Sequence, residues 1–259
     1  MTAARAIGPP PVESIRLVER FERAAPGFAF TATSLPGHLL HLVVAGEVEQ
    51  SCNGRRQHLT PGALVWYHED EWVEGRVLRA PWIYYSVNFF APTLSPPDFA
   101  ARVRPAQQSL AAIFAALHAA WRQPASVERN HLCHAHLLTL LAAAALDPSA
   151  PPPPAGQSRL WWEIEAWARQ HLDRPCSLEA LCAAFHRSPN TVSRACREAV
   201  GLPPMKRLKQ IRLSLARGLV QHSDLTMTAI ASRIGYARVH EFSRDYRKAF
   251  GHPPTADRG

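Results

Sequence analysis

The chain has 259 residues, 47% of them apolar, and a formal net charge of +8. This length and apolar content allow two domains with buried cores. The five cysteines are odd in number and form no CxxC pair, which argues against a disulfide framework and a zinc site and for reduced thiols in the cytoplasm. No apolar leader and no run of about 18 apolar residues occurs, so we expect a soluble protein without membrane spans.

The positive charge is confined to the last part of the chain. Residues 1–156 contain 12 arginines and 12 acidic residues, whereas residues 157–259 contain 17 arginines and lysines against 9 acidic residues. A generally basic protein would distribute this excess evenly. The asymmetry therefore favours a module that binds a polyanion, with nucleic acid as the first candidate, joined to a neutral module.

Short strands are predicted along residues 28–90. His38–Gly46 is an apolar run that ends at glycine, and Asn53-Gly54 in the next segment is a strong hairpin signal. A Pro-Gly turn opens Thr60–His68, and Trp82–Phe90 is rich in strand formers. Several short strands at this spacing predict a sandwich or a small barrel.

Two helices rich in alanine and leucine follow these strands, at residues 105–123 and 127–146. Their apolar surface exceeds what one small barrel needs, so residues 105–146 are candidates for a homodimer contact. Asp147–Gly156 contains four consecutive prolines, which favour a stiff polyproline spacer. The predicted organisation is residues 1–146 as one domain, 147–156 as a linker and 157–259 as a second domain.

The second domain is predicted to be entirely helical. Helix starts are indicated by capping residues and by paired prolines, at Ser158, Ser177, Ser188-Pro189, Pro203-Pro204 and Thr226. Helix ends are indicated by glycine, at Gly201, Gly235 and Gly251.

Within this domain, two pairs of short helices have the helix-turn-helix pattern. The first is Leu178–His186 followed by Pro189–Val200, and the second is Met227–Ile234 followed by Val239–Phe250. In this motif the second helix fits the major groove of DNA. The helix between the pairs, from about Pro204 to Val220, would span about 25 Å at ~1.5 Å per residue, against ~34 Å between adjacent major-groove faces.

Each second helix divides into an apolar stripe and a polar side. The predicted inner stripes are Val192, Ala195, Cys196 and Ala199 in the first helix, and Val239, Phe242, Tyr246 and Phe250 in the second. Arginine can bond guanine bidentately, and other cations contact phosphates. The predicted DNA contacts are Asn190, Thr191, Ser193, Arg194, Arg197, Arg238, Val239, His240, Ser243, Arg244, Arg247 and Lys248.

Residues 158–258 resemble the DNA-binding domain of the AraC/XylS family of bacterial transcription regulators. The segment "IASRIGYARVHEFSRDYRKAFGHPP" carries the resemblance, with its Ile-Ala, Gly-aromatic, Phe-Ser-Arg and final Gly and Pro. The helix between the two pairs, the connector, also matches the family at Arg212-Leu213, Ala216 and Leu219. The resemblance implies that Asn190, Ser193 and Arg194, and then Val239, His240 and Arg244, face bases.

The first helix pair departs from the family pattern. His186 stands where a small residue is usual, Val192 replaces a leucine, and Cys196 replaces a large aromatic residue. The inner stripe of that helix is thinner than usual. We therefore expect the first reading helix to pack less firmly than the second, or to read a looser site.

The resemblance extends to the first domain, because family members often carry a cupin-like β-barrel there, followed by a helix pair. It implies an α+β multidomain protein, with an all-α DNA-binding domain, that binds promoter DNA and a small effector, often a sugar or other metabolite. It also implies a homodimer and activation through RNA polymerase in the cytoplasm. Candidate effector contacts are polar and aromatic residues of the strands: His41, Trp66, His68, Trp82, Tyr84, Ser86 and Asn88.

Other functions remain as alternatives. A cupin-type enzyme needs a His-x-His pair with a glutamate and a later histidine, which His38, His41, His58 and His68 do not provide, so we expect no catalytic metal and no cofactor. His131 and His134 share a helix face and could bind a metal, but such a pair more often forms the polar face of an interface helix. A DNA-repair methyl-accepting protein needs clustered zinc-binding cysteines, which this sequence lacks. A regulator whose barrel only dimerises is not distinguished by sequence.

Overall fold

A computed structural model of the chain describes residues 12–146, 156–174 and 176–258. The chain divides between Pro152 and Pro153 into two compact units, and Asp98–Ala100 groups with the second unit. The predicted linker 147–156 lies outside the described residues, except for Gly156, where a helix begins. The two units, an antiparallel sheet with a helix pair and an all-helical domain, have the predicted fold class.

The first unit contains seven strands in one antiparallel sheet of order β1-β6-β3-β5-β7, with β2 paired to β6 and β4 to β3. The strands are β1 Ser14–Arg23, β2 Ala29–Thr33, β3 His38–Cys52, β4 Arg55–Leu59, β5 Ala63–His68, β6 Trp72–Phe90 and β7 Val103–Pro105. A short 3-10 helix at Phe99–Ala101 precedes β7. The Asn53-Gly54 hairpin is confirmed, with φ of 50° and 88° at its two residues.

Two strands are longer than the sequence pattern indicates. β3 continues through Gly46, where the strand was predicted to end, and β6 begins at Trp72 instead of Trp82. Pairing between β3 and β6 shifts register around Val43–Val48. Gly46 has φ +77°, and a Cβ there would lie 2.4 Å from the Pro81 carbonyl oxygen. Glycine therefore marks an irregularity with close backbone approach, where the ladder continues.

The sheet uses its two faces differently. Leu40, Leu42, Val87 and Phe89 form a buried cluster with apolar residues of α1 (Gln108–Trp121) and α2 (Val127–Leu146). Strand neighbours of these residues point to the opposite face because side chains alternate along a strand. Val87 and Phe89 are 0% exposed and belong to this core. The opposite face lines a cavity.

The described residues of the second unit form six helices and a short 3-10 helix at Pro254–Ala256. The helices are α3 Gly156–Gln170, α4 Leu178–Phe185, α5 Pro189–Val200, α6 Pro204–His222, α7 Met227–Arg233 and α8 Val239–Phe250. The predicted caps at Ser177, Ser188 and Thr226 are confirmed, since each side chain accepts a hydrogen bond from the backbone N–H three residues later. No described helix is long and apolar enough to cross a membrane.

The predicted cap at Ser158 is wrong. Helix α3 begins two residues earlier, at Gly156, and Ser158 lies inside it, fully buried. The hydroxyl of Ser158 has no hydrogen-bond partner among the described residues. A serine inside a helix start has the same local sequence signature as a capping serine, so pattern alone does not separate them.

Candidate nucleic-acid interface and effector cavity

Helix α5 has an exposed polar side and a buried apolar side. Pro189 is its first residue, and the Ser188 hydroxyl accepts a hydrogen bond from the Thr191 N–H at 3.2 Å. Asn190, Arg194 and Arg197 are exposed, and Thr191 and Ser193 are half-buried. The Thr191 hydroxyl also lies 2.9 Å from the Ser188 hydroxyl, so its hydrogen bonding serves the start of the helix.

Helix α8 presents the same kind of surface. Arg238, immediately before it, and His240, Arg244, Arg247 and Lys248 are exposed, while Val239 and Ser243 are half-buried. Both helices have 12 residues. Counted from the helix start, Arg194 and Arg244 take the same place, and so do Arg197 and Arg247. The two helices therefore offer matching pairs of cations.

The inner side of α8 is fixed by aromatic packing and by two aspartates. Phe242 and Tyr246 are fully buried, with ring centroids 5.6 Å apart. The Tyr236 hydroxyl donates to Asp245 at 3.2 Å, and Lys209 of α6 forms an ion pair with Asp245 at 2.7 Å. These contacts tie the turn, the reading helix and the connector together. Tyr246 similarly donates to Asp257, which pairs with Arg217 of α6.

The inner side of α5 packs against α3. Val192, Ala195, Cys196 and Ala199 are all fully buried and share one cluster with Trp161 and Ile164. Burial raises the pKa of Cys196, with a further contribution from Glu165, so this thiol stays protonated. The stripe is made of small side chains, as predicted, and large residues of α3 complete the cluster.

A buried charge cluster lies beside these residues. Arg207 of α6 donates through Nε to Glu165 Oε2 at 2.9 Å and through Nη2 to Oε1 at 2.8 Å. Arg169 also donates to Oε1, and the Trp161 indole N–H donates to Oε2 at 2.9 Å. Arg207 and Glu165 are 0% and 2% exposed. This bidentate pair joins the helix that supports α5 to the connector.

The turn between α4 and α5 and the turn between α7 and α8 each contain a residue with positive φ, but the residue type differs. His186 follows α4 with φ +52°, in the left-handed region. Gly235 follows α7 with φ +77°, and a Cβ there would lie 2.4 Å from the Leu172 carbonyl oxygen. Glycine adopts positive φ without steric cost, whereas histidine does not. The first turn therefore carries strain that the second avoids.

The face of the sheet away from α1 and α2 lines a cavity of about 330 Å³. Stacked or tilted rings form much of its wall: Phe30 against Trp82 at 5.5 Å, Trp82 against Tyr84 at 4.3 Å, Tyr84 against Phe21 at 5.4 Å, and His41 against Tyr84 at 4.8 Å. Phe28 and Leu35 on its rim are each 42% exposed. The cavity lies within the size range of small-ligand sites.

Four of the seven candidate effector residues lie on this wall: His41, Trp82, Tyr84 and Ser86. The other three do not. The Trp66 indole donates to His38 Nδ1 at 3.1 Å, and the His68 ring packs on His38 at 4.9 Å. Asn88 donates to the carbonyl oxygens of Pro36 and His38. Trp66 and His68 alternate with the cavity-facing Tyr67 along β5, which explains their different environment.

Some polar side chains on the cavity wall are hydrogen-bonded to other residues, and others are not. Tyr67 donates to Gln50 at 2.8 Å, and Gln50 donates to Gln57 at 2.8 Å. By contrast, no hydrogen bond joins the side chains of His41, Tyr84 or Ser86 to another residue in the described part of the chain. Burial lowers the pKa of His41 to about 3, so its imidazole is neutral near pH 7. These unpaired groups are available to a bound molecule.

Strands β1 and β2 and the loop between them also supply cavity residues, and the sequence pattern did not predict them. Leu17, Phe21 and Arg23 line the cavity from β1, and Phe28 and Phe30 line it from the following loop and strand. Phe21 pairs with Tyr84 across the ladder, and Arg23 pairs with Trp82. The odd-numbered Leu17, Phe21 and Arg23 in "SIRLVERFER" were the available signal for a strand with one functional face.

Comparison with known proteins agrees with this organisation. The family model described as an AraC-like ligand binding domain matches residues 17–141. The model described as a helix-turn-helix domain matches residues 181–259. The chain thus has an AraC-like ligand-binding domain and a helix-turn-helix domain, and both are similar to those of AraC-type regulators. The resemblance of both domains to this family, expected from the sequence, is therefore confirmed.

The curated relatives are similar to this chain over part of their length. The chain is 37% identical over 89 residues to the HTH-type transcriptional activator RhaS of Escherichia fergusonii, covering 34% of this chain and 32% of RhaS. It is 31% identical over 129 residues to RhaS of Salmonella schwarzengrund, covering 50% of this chain and 45% of RhaS. The matched region thus spans less than half the length of each relative.

A solved structure has a similar fold over nearly the whole chain. ToxT from Vibrio cholerae bound to (E)-4-(8-methylnaphthalen-1-yl)but-3-enoic acid superposes with a TM-score of 0.61. Sequence identity is 10%, and the match covers 94% of this chain and 98% of ToxT. At this identity the likeness shows the fold alone.

Proposed function

We propose that this protein is a sequence-specific, DNA-binding transcription regulator. The observation that carries the proposal is the pair of exposed reading faces on α5 and α8, with Arg194 and Arg244 at equivalent places and Arg197 and Arg247 one turn further on. In a helix-turn-helix, these are the positions from which side chains reach base edges and phosphates.

The connector supports joint use of the two faces. Helix α6 has 19 residues, which corresponds to about 28 Å at ~1.5 Å per residue. Two major-groove faces one helical turn apart are ~34 Å from each other. Helix α6 packs against α5 and also against α7 and α8. We infer that the protein binds two blocks of bases about one turn apart.

Activation is the direction of regulation that we propose. The curated relatives carry the name transcriptional activator, and an activator of this family contacts RNA polymerase beside the promoter. The same proposal places the protein in the cytoplasm, where bacterial DNA is accessible. Transcription from a promoter that carries the selected site, with and without the protein, tests the direction of the effect.

The proposed role of the first unit is to bind a small effector. The matched family model is a ligand-binding domain, ToxT was solved with a carboxylic acid bound, and the cavity has unpaired polar groups on a largely apolar wall. His41, Trp82, Tyr84 and Ser86 are the proposed contacts from the predicted set. A regulator whose first unit only dimerises would bind nothing in this cavity.

Dimerisation through the helix pair is a further part of the proposal. On α2, Val127, Leu132 and Leu138 are 64%, 48% and 37% exposed, so this helix presents apolar side chains to solvent. Sedimentation of Leu132→Glu/Leu138→Glu should show a monomer where the parent chain is a dimer. The matched control is Leu78→Glu on β6, whose side chain is 43% exposed. A monomeric parent chain would contradict this part.

The alternative of a cupin-type, metal-dependent enzyme with a basic accessory domain has weaker support. His38 is occupied on both ring nitrogens, by the Trp66 indole at 3.1 Å and by the Ala91 carbonyl at 3.2 Å. His58 lies at the surface, 3.0 Å from Glu47. The matched relatives are regulators. Turnover by the purified chain with an added divalent metal would favour the enzyme.

Selection of bound sequences from random duplex DNA tests the regulator directly. The full-length protein at near-physiological salt should enrich a motif of two blocks about one helical turn apart. Lys248→Ala should weaken binding to all sequences nearly uniformly and reduce the salt slope by about 1. Arg20→Ala, a charge loss in the first unit, is the control. Absence of any enriched motif would contradict the proposal.

A further inference from the structure

The cavity of the first unit carries information about the class of its ligand. Its volume of about 330 Å³ lies at the lower end of the range of small-ligand sites, about 300–1,000 Å³. That volume suits a metabolite with one or two rings and is small for a long acyl chain. All lining residues in the described part of the chain lie between Leu17 and Ser86, within the first unit.

The wall is predominantly apolar and aromatic, which disfavours a sugar. A sugar hydroxyl that leaves water needs a hydrogen-bond partner, and an unpaired one costs free energy. Gln50 and Tyr67 are already bonded to each other at 2.8 Å, and the Ser34 hydroxyl accepts from the Glu71 N–H at 2.8 Å. The rings of Phe30, Trp82 and Tyr84, which stack on one another along the wall, favour a planar, aromatic molecule.

One cation lies among these rings. Arg23 lines the cavity, and its guanidinium carbon is 5.6 Å from the Phe21 ring centroid and 5.5 Å from the Phe28 ring centroid. No carboxylate forms an ion pair with Arg23 among the described residues. The rings hold the guanidinium from two sides, and its N–H groups remain available. Arginine is the side chain that binds a carboxylate bidentately.

We propose that this cavity binds an aromatic monocarboxylate, with the carboxylate at Arg23 and the ring against Trp82, Tyr84 and Phe30. This inference rests on the proposed effector function and narrows it to one chemical class. Arg23, the one arginine among the described lining residues, matches a single negative charge, and the apolar wall matches the ring. His41 and Ser86, which are neighbours across β3 and β6, offer hydrogen bonds to a substituent on the ring.

Calorimetric titration of the purified full-length chain tests the ligand class. The probes are benzoate, 4-hydroxybenzoate, benzamide, cyclohexanecarboxylate, octanoate, L-arabinose and L-rhamnose. We expect binding of the two benzoates, at least about tenfold tighter than that of benzamide, which lacks the charge, and cyclohexanecarboxylate, which lacks the aromatic ring. A charged hydrogen bond of about 1.5–3 kcal/mol corresponds to about 10- to 100-fold in affinity.

Variants of one strand test the role of Arg23. Arg23→Met should lower benzoate affinity about 10- to 100-fold and leave any benzamide affinity within about threefold. Arg23→Lys should retain part of the benzoate affinity because it keeps the charge. Arg20→Met, an exposed position on the same strand, should change nothing. Circular dichroism of each variant shows whether it is folded, and the lysine variant serves if the methionine variant is not.

Each other outcome overturns the inference. Tighter binding of a sugar or of octanoate would reject the aromatic class while leaving an effector function in place. Equal binding of benzoate by the parent chain and Arg23→Met would reject the carboxylate position. Failure of both benzoates to bind would reject the proposal. DNA selection with the same preparation separates the two levels, since an enriched motif keeps the regulator even when the ligand class is wrong.

Discussion

Helices α5 and α8 have the same outer chemistry on different inner supports. Each has 12 residues, and arginines occupy the sixth and ninth places of both. At the fourth and eighth places, α5 has Val192 and Cys196, whereas α8 has Phe242 and Tyr246. The second helix brings its own aromatic packing. The first depends on another helix, α3, for the large side chains of its cluster.

This difference revises the expectation that the first helix packs less firmly. Its four inner residues are 0% exposed, as are Phe242 and Tyr246 of α8, whereas Val239 and Phe250 of the predicted α8 stripe are half-buried. The space that the small side chains of α5 leave is therefore filled by large neighbours, since Trp161 and the Glu165–Arg207 pair lie beside them. The comparison teaches that the inner stripe of one helix does not determine how well that helix is held.

The largest expected effect comes from the charge cluster that supports α5. Glu165→Gln leaves Arg207 buried without its countercharge, and we expect a loss of about 3–5 kcal/mol in the free energy of unfolding. Glu163→Gln is the matched control, because its partner Arg159 is 78% exposed and such surface pairs contribute about 0–1 kcal/mol. Urea unfolding followed by circular dichroism measures both. Equal, small losses would show that α5 does not depend on this pair.

A phenylalanine at Cys196, where the family usually has a large aromatic residue, tests whether neighbouring side chains already fill the space under α5. Cys196→Phe adds a ring to a position that is already fully buried, so we expect a loss of about 1–3 kcal/mol from overpacking. Cys196→Val, which is close in volume, should cost less than about 1.5 kcal/mol. Thermal unfolding compares the two. A phenylalanine variant more stable than the parent chain would reveal unfilled space under α5 and restore the original expectation.

Helices α5 and α8 should both contribute to DNA binding, although the sequence of α5 departs from the family pattern. Arg194→Ala and Arg244→Ala should each lose about 1–3 kcal/mol of specific binding and relax the preference at one base position. Fluorescence anisotropy with the selected site and single-base variants measures the loss. Arg159→Ala on α3 is the control for charge alone. If only Arg244→Ala mattered, the second helix would be the sole reader. If neither mattered, the assignment of both reading helices would be wrong.

The helical domain was largely predictable because its signals are local. Caps such as Ser177 and Ser188, and glycines at Gly201 and Gly251, act within a few residues of where they stand, and helical period then fixes the inner faces. The DNA-contact assignments came from the same local signals and stay predictions. Ser158 shows the limit, because a capping residue type also occurs inside a helix start.

The cavity was only half predictable because its geometry depends on strand pairing. Alternation placed Trp82, Tyr84 and Ser86 on one face correctly, but no local signal shows which neighbouring strand faces them. Arg23 meets Trp82 only through the β1–β6 register. Trp66 and His68 are separated from Tyr67 by one step along β5 and thereby leave the cavity wall. Non-local pairing, and not residue type, decides membership of this site.

The smallest expected effect concerns the two turns. His186 is held at φ +52°, whereas Gly235 takes the corresponding left-handed conformation in the second turn without cost. His186→Gly should therefore stabilise the protein by about 0.5–1 kcal/mol, with the relief of strain exceeding the extra entropy of the unfolded chain. His186→Ala is the control, since it keeps the Cβ and should give little gain. Thermal unfolding of the three proteins decides the point. A glycine variant less stable than the parent chain would mean that the His186 side chain makes a contribution larger than the strain, and the two turns would then differ in packing as well as in conformation.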